Sequence, residues 1–145
     1  MKILVVNGPN LNMLGVRERE IYGTQSYAEL CAFIEACSAQ LGVACELFQS
    51  NYEGAIVERI QQALGREDAI VINPAAYTHT SIAILDALRA VALPAVEVHL
   101  SDPAARECFR QVSYAGMACE KTVSGKGFEG YREALAYLAE RLKNA

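Results

Sequence analysis

The chain has 145 residues, 52% of them apolar, and a formal net charge of −4. That is enough material for one compact domain over residues 1–145, and the wrong charge for a nucleic-acid footprint or a polybasic membrane anchor. Five cysteines without a C-x-x-C pair and only two histidines, His79 and His99, make no zinc constellation, so metal-free chemistry and thiols buried in a reducing compartment are expected.

The apolar start Ile3-Leu4-Val5-Val6 is too short for a signal-peptide core and runs into the turn cluster Asn7-Gly8-Pro9-Asn10. No segment is long enough to span a bilayer. A cytoplasmic protein without a membrane partner is the expectation. Along the chain, short β-branched runs alternate with longer runs of helical spacing, the pattern of repeated βα units and a parallel sheet. Strand one spans Lys2 to Asn7, uninterrupted and therefore covered on both faces. A Gly-rich loop continues to Thr24. The first helix begins near Ser26, where Ser26 and Glu29 have capping-box spacing, and stops at Gly42. Strand two is Val43 to Ser50. A helix from about Gly54 to Leu64 follows, with Ile56, Ile60 and Leu64 on one face and Gly65 closing it.

Strand three is Ala69 to Asn73, a third helix covers about Thr80 to Val91, and the chain re-enters the sheet after Pro94 as Ala95 to Leu100. Asp102-Pro103 reads as an N-cap and first-turn proline for a fourth helix reaching about Val112. A fifth strand near Lys121 to Ser124 and a last helix from Phe128 to Leu142 complete a five-stranded α/β fold. In such a sheet the ligand site lies outside the carboxyl ends of the strands, where the strand order reverses. Those ends carry Asn7–Asn12, Ser50–Glu53, Asn73–Thr80 and His99–Asp102.

Glu97 and His99 stand two apart on strand four and share a face. A carboxylate at that distance orients an imidazole and favours its protonated form, which makes His99 a candidate general acid; a satisfied histidine at a strand end is the plainer alternative. Arg17 and Tyr22 sit between Gly15 and Gly23 in a segment built like a lid, where a guanidinium could stabilise a phenolate base; a solvated loop is the alternative. Leu100-Ser101-Asp102-Pro103 offers backbone amides and a hydroxyl at a helix start, suited to an anion or to simple capping. Arg106 and Arg110, four apart on that helix, could face the same anion or only solvent. Gly125-x-Gly127-x-x-Gly130 matches a dinucleotide fingerprint in form, but the chain ends before the acidic residue that the motif requires about twenty positions on. Those glycines read as turn and close-packing residues.

Taken together, Asn7-Gly8-Pro9-Asn10-Leu11-Asn12, Gly15-Val16-Arg17, Tyr22-Gly23-Thr24, Gln49-Ser50-Asn51, Asn73-Pro74-Ala75-Ala76-Tyr77-Thr78-His79-Thr80-Ser81 and Glu97-Val98-His99-Leu100-Ser101 resemble the type II 3-dehydroquinate dehydratases over nearly the whole chain. The resemblance implies a flavodoxin-like doubly wound fold, no metal or organic cofactor, and a homododecamer built from trimers. It implies trans elimination of water from 3-dehydroquinate through an enolate, in the shikimate pathway or in quinate catabolism. On the matching positions, Tyr22 would be the base and Arg17 would lower its pKa, while Asn10 and Asn73 would stabilise the enolate. His99, helped by Glu97, would protonate the departing hydroxyl. Asn73, His79, Ser101, Arg110 and the backbone at Leu100 would grip the substrate, and Asp86 would reach a neighbouring subunit's site.

Three positions depart from the family pattern. Arg19 stands where the lid usually has proline, which implies a looser loop, Tyr52 where histidine is common, and Asp102 where asparagine is usual. A carboxylate at Asp102 would weaken substrate binding unless it points away or caps the helix. A flavin-binding or receiver-like reading of the same fold expects a Ser/Thr/Gly phosphate loop or an acidic cluster after strand one and an aspartate ending strand three; this chain has amides and proline there, and Asn73.

Overall fold

Each β-branched run forms a strand in the computed structural model, which describes residues 1–16 and 18–145, and at Tyr22 the backbone alone. The strands are β1 (Lys2–Asn7), β2 (Ala44–Gln49), β3 (Ala69–Asn73), β4 (Ala95–His99) and β5 (Lys121–Ser124). They form one sheet in the order β2-β1-β3-β4-β5, and every described pair is parallel. This is the flavodoxin-like order, and its reversal falls between β1 and β3. The helices are α1 (Arg19–Tyr22), α2 (Tyr27–Leu41), α3 (Glu53–Gln62), α4 (Ile82–Val91) and α5 (Glu129–Lys143). No described helix is long and apolar enough to cross a membrane.

Two apolar layers enclose the sheet. On one face Ile3, Val5, Val71, Val96 and Val98 meet Leu30 and Ile34 of α2 and Tyr131, Leu135 and Leu138 of α5. On the other, Leu4, Val6, Ile70 and Ile72 meet Ile56 and Ile60 of α3 and Ile84 and Leu88 of α4. The runs 3–6 of β1 and 69–72 of β3 are apolar and fully buried, since both faces of the sheet are covered there. The capping box forms as the sequence implies: Ser26 Oγ accepts from Glu29 N at 3.1 Å and Glu29 Oε2 accepts from Ser26 N at 2.6 Å.

Four expectations need correction. The fourth helix does not form; Pro103–Ala105 and Cys108–Arg110 are separate 3-10 turns. Not one residue from 101 to 114 is fully buried, so this stretch has no apolar stripe to dock, and a lone helix of that length is marginal in water. The loop before Thr24 contains the short helix α1. Leu64 is 64% exposed and Ala63 takes the core position instead, because α3 ends at Gln62 and Ala63 N bonds back to Ile60 O. Cys108 is exposed, Cys31, Cys45 and Cys119 are partly covered, and Cys37 alone is buried; all five thiols are free.

At the amino ends of the strands, Arg59 binds Glu67 with both nitrogens (2.8 and 3.3 Å) and Glu46 at 3.0 Å, while Lys2 reaches Glu46 at 2.6 Å and Glu67 at 3.3 Å. At the carboxyl ends the loops after β1 and β3 press together. Gly8 N donates to Asn73 O at 2.8 Å, and a Cβ on Gly8 would lie 2.5 Å from Pro74 O. Gly8→Ala is expected to cost about 1–3 kcal/mol in urea unfolding and to depress turnover further, because the backbones carrying Asn10 and Asn73 would part. Wild-type turnover in that variant would show that the close approach does not position them.

Candidate active site

The strand-end loops surround a cavity of about 140 Å³ lined by Asn10, Asn73, His79, His99, Leu100, Ser101, Arg106 and Arg110, together with apolar residues such as Leu11 and Leu14. That volume suits a small polar molecule, well below the roughly 300–1,000 Å³ of pockets for drug-sized ligands. Among the described residues no carboxylate lines it, whereas two guanidinium groups do, so it favours an anion. Seven of the sequence-derived site residues meet here: Asn10, Asn73, His79, His99, Leu100, Ser101 and Arg110. Glu97 lies behind His99, in an adjoining cavity that His79, His99 and Arg110 also line. Asp86 is exposed on α4 and lines neither cavity. Arg17 lies outside the described residues, and Tyr22 is placed only as the last residue of α1.

His99 Nε2 lies 2.8 Å from Glu97 Oε1, as two residues on one face of a strand allow. Glu97 is fully buried. Its Oε1 also accepts from Ser113 Oγ at 2.5 Å and its Oε2 from Thr122 Oγ1 at 2.8 Å. Burial pushes the Glu97 carboxyl up, but the hydrogen bond and charge of His99 and the two hydroxyls outweigh it and hold the group below the usual carboxylate range. Folding thus favours the ionised form, a stabilisation complete above the ordinary carboxyl range and lost as pH falls through the lowered value. Facing a carboxylate, Nε2 carries a hydrogen, which leaves Nδ1 of His99 for chemistry.

The second histidine is fixed in the same way. His79 Nδ1 lies 2.7 Å from the carbonyl of Val112, and a carbonyl only accepts, so Nδ1 carries the hydrogen and Nε2 is the acceptor of the neutral ring. Asn73 is oriented by Tyr131, whose buried hydroxyl donates to Asn7 Oδ1 at 2.6 Å and accepts from Asn73 Nδ2 at 3.0 Å; Asn73 Oδ1 accepts from Ala75 N at 3.2 Å. Asn10 adopts a left-handed backbone (φ 67°) and its backbone N–H donates to Asn51 Oδ1 at 2.9 Å. Gln49 ties the same loop down through Gly8 O and Asn51 Oδ1.

The anion site is built differently from the sequence expectation. A helix start after Ser101 is absent, so no macrodipole assists binding there, and Arg106 and Arg110 do not share a helical face. They converge on the cavity because the two 3-10 turns fold back beside it. Glu107 steadies Arg110 through Nε at 2.8 Å. Of the departures, Asp102 Oδ1 caps Ala104 N at 3.0 Å and lines the adjoining cavity instead of this one, Tyr52 is 77% exposed, and Arg19 Nε donates to Gly15 O at 2.9 Å. The three glycines after β5 act as turn and packing residues, a Cβ on Gly130 lying 3.3 Å from Val98 Cγ1. Sequence reasoning gave no role to Ser113, Thr122 or Tyr131, whose partners lie 16, 25 and up to 124 positions away.

Comparison with known proteins identifies the family. Residues 1–139 match the family described as dehydroquinase class II. The chain belongs to that family. This class II dehydroquinase chain is 51% identical to the 3-dehydroquinate dehydratase of Aliarcobacter butzleri over 142 residues, covering 98% of this chain and 87% of that one. It is 51% identical to catabolic 3-dehydroquinase 1 of Aspergillus terreus over 141 residues, covering 97% and 93%. Among solved structures, the type II dehydroquinase from Butyrivibrio crossotus superposes with a TM-score of 0.90 at 44% identity, covering 100% of this chain and 98% of that one.

Proposed function

We propose that this class II dehydroquinase removes water from 3-dehydroquinate to give 3-dehydroshikimate, by trans elimination through an enolate and without a cofactor. The observation that carries it is the convergence of His99, backed by Glu97, with Arg106 and Arg110 on one small cavity that no carboxylate lines among the described residues. A ketone already acidifies its α proton, so the protein must supply a base, a place for the developing oxyanion and a proton for the departing hydroxyl.

Tyr22 is the base and Arg17 lowers its pKa, on the strength of the family motif that both residues match. Asn10 and Asn73 hold the water and polar contacts that stabilise the enolate; Asn51 fixes the backbone at Asn10, and Tyr131 pre-orients the side-chain amide of Asn73. Fixed dipoles of this kind need no reorganisation as charge develops. His99 gives its Nδ1 proton to the hydroxyl leaving group, with Glu97 stabilising the imidazolium. Arg110, Ser101, His79 and the Leu100 backbone bind the substrate, whose carboxylate suits the guanidinium fork.

Asp86, exposed on α4 and away from its own cavity, acts at a neighbouring copy's site. The working enzyme is a cytoplasmic homododecamer of trimers, each subunit one domain over residues 1–145. The test is ultraviolet absorbance on mixing with 3-dehydroquinate, since the product's conjugated enone absorbs and the substrate does not. No described group of three His, Cys, Asp or Glu side chains could hold a metal, so turnover is expected to be unchanged in a chelator. Turnover lost in chelator and restored by a divalent ion would refute the metal-free assignment.

A further inference from the structure

We propose that Ser113 and Thr122 are positioning residues for the elimination, holding Glu97 Oε1 against His99 Nε2 so that His99 enters the reaction with Nδ1 toward the substrate. The inference rests on the reading of His99 and Glu97 given above. Its basis is the direction of each hydrogen bond. Ser113 Oγ accepts from Gly116 N at 3.0 Å, so its single proton points at Glu97 Oε1, 2.5 Å away. Thr122 lies directly opposite Glu97 in the β4–β5 register, and its hydroxyl meets Oε2 at 2.8 Å. With His99 the carboxylate thus has three donors, and none of its surface is exposed.

The turn at 115–118 closes this cradle. A Cβ on Gly116 would lie 2.5 Å from Glu97 Oε2 and 2.8 Å from Ser113 Oγ, so only glycine lets the backbone sit against the carboxylate. Ser113 and Thr122 line the adjoining cavity and not that of Asn10 and Asn73, and the hydroxyl of each is engaged with Glu97, through which it acts. The other titratable or charged groups facing the carboxylate are Cys119, whose thiol burial and the Glu97 charge push up to about 12, and His79, Asp102 and Arg110 across the adjoining cavity. Cys119 stays protonated throughout an assay range of pH 5–9.

The test is kcat and KM against pH for Ser113→Ala, Thr122→Val, Thr122→Ser and Gly116→Ala. Loss of one hydroxyl donor to a charged group should lower kcat by about 10-fold with KM near the wild-type value. A carboxylate with fewer donors also takes up a proton at higher pH, so the acidic limb should move toward neutral. Thr122→Ser keeps the hydroxyl and should keep the wild-type limb, while Gly116→Ala, which displaces Oε2, should shift it as the deletions do. Ser113→Ala and Thr122→Val profiles that differ from wild type only by a constant factor would overturn the proposal, as would Thr122→Ser shifting as far as Thr122→Val. Nitrogen-15 spectra of His99 in the substrate-free proteins give a reading independent of turnover. The Nε2–H tautomer should lose population in the deletions, and an unchanged tautomer would refute the positioning role. A wild-type protein that forms no enone at any pH would instead remove the reaction, leaving the spectra to decide the hydroxyls.

Discussion

Tyr22→Phe is expected to lower kcat by about 10²–10⁴-fold, the usual contribution of a positioned base, while KM changes little. The substitution removes one oxygen, so binding survives and proton abstraction fails; the loss is confined to the transition state. His99→Ala should also lower kcat, but it leaves the base in place. Where enolate formation is reversible, that variant exchanges the α proton of 3-dehydroquinate with solvent after it has stopped expelling hydroxide. Deuterium uptake followed by NMR separates the two, with uptake expected in His99→Ala and absent in Tyr22→Phe. Uptake by Tyr22→Phe at the wild-type rate would exclude Tyr22 as the base.

The largest effect on stability is expected at the opposite end of the sheet. Arg59→Ala leaves Glu67, whose side chain is fully buried, with Lys2 as its remaining cationic partner at 3.3 Å. Removing one member of a buried pair typically costs about 3–5 kcal/mol, because an uncompensated charge stays behind. The loss should appear in urea unfolding with kcat of the folded enzyme unchanged, since the cluster sits at the amino ends of the strands. Replacing Arg59 and Glu67 together by Met should recover much of the loss. An Arg59→Ala protein within about 0.5 kcal/mol of wild type, the range of an ordinary surface change, would show that Lys2 alone satisfies Glu67.

The sheet was legible because its signals are local. β1 and β3 read as buried strands from uninterrupted apolar runs, α2 from the Ser26–Glu29 pair, and the rule for open parallel sheets pointed to the end at which the cavity lies. The Glu97–His99 contact followed from the two-residue period of a strand. What failed was the segment after His99, where Asp102-Pro103 looked like a helix start and Asp102 does cap Ala104. A cap begins a helix but cannot sustain one, and this stretch buries nothing that would. Leu64 failed for a related reason, since an i, i+4 pattern holds only while the helix lasts. The hydroxyls around Glu97 and the Tyr131 bridge carry no local signature, because their meaning comes from residues brought together by the crossovers.

The parallel pairing also dictates the order in which the molecule can be completed. No strand here can close a hairpin with its sequence neighbour, so each ladder waits on a crossover, a long-range arrangement associated with slower folding. Emerging from a ribosome, β1 has no partner until residues 44–49 follow and no second one until 69–73. The donors to Glu97 come later, at 113 and 122, and the hydroxyl that joins Asn7 to Asn73 comes later still, at 131. A chain interrupted before its last helix would hold most of the cavity's lining yet lack the bond that ties its first strand to its third, so competence of the site reports on the whole chain having folded.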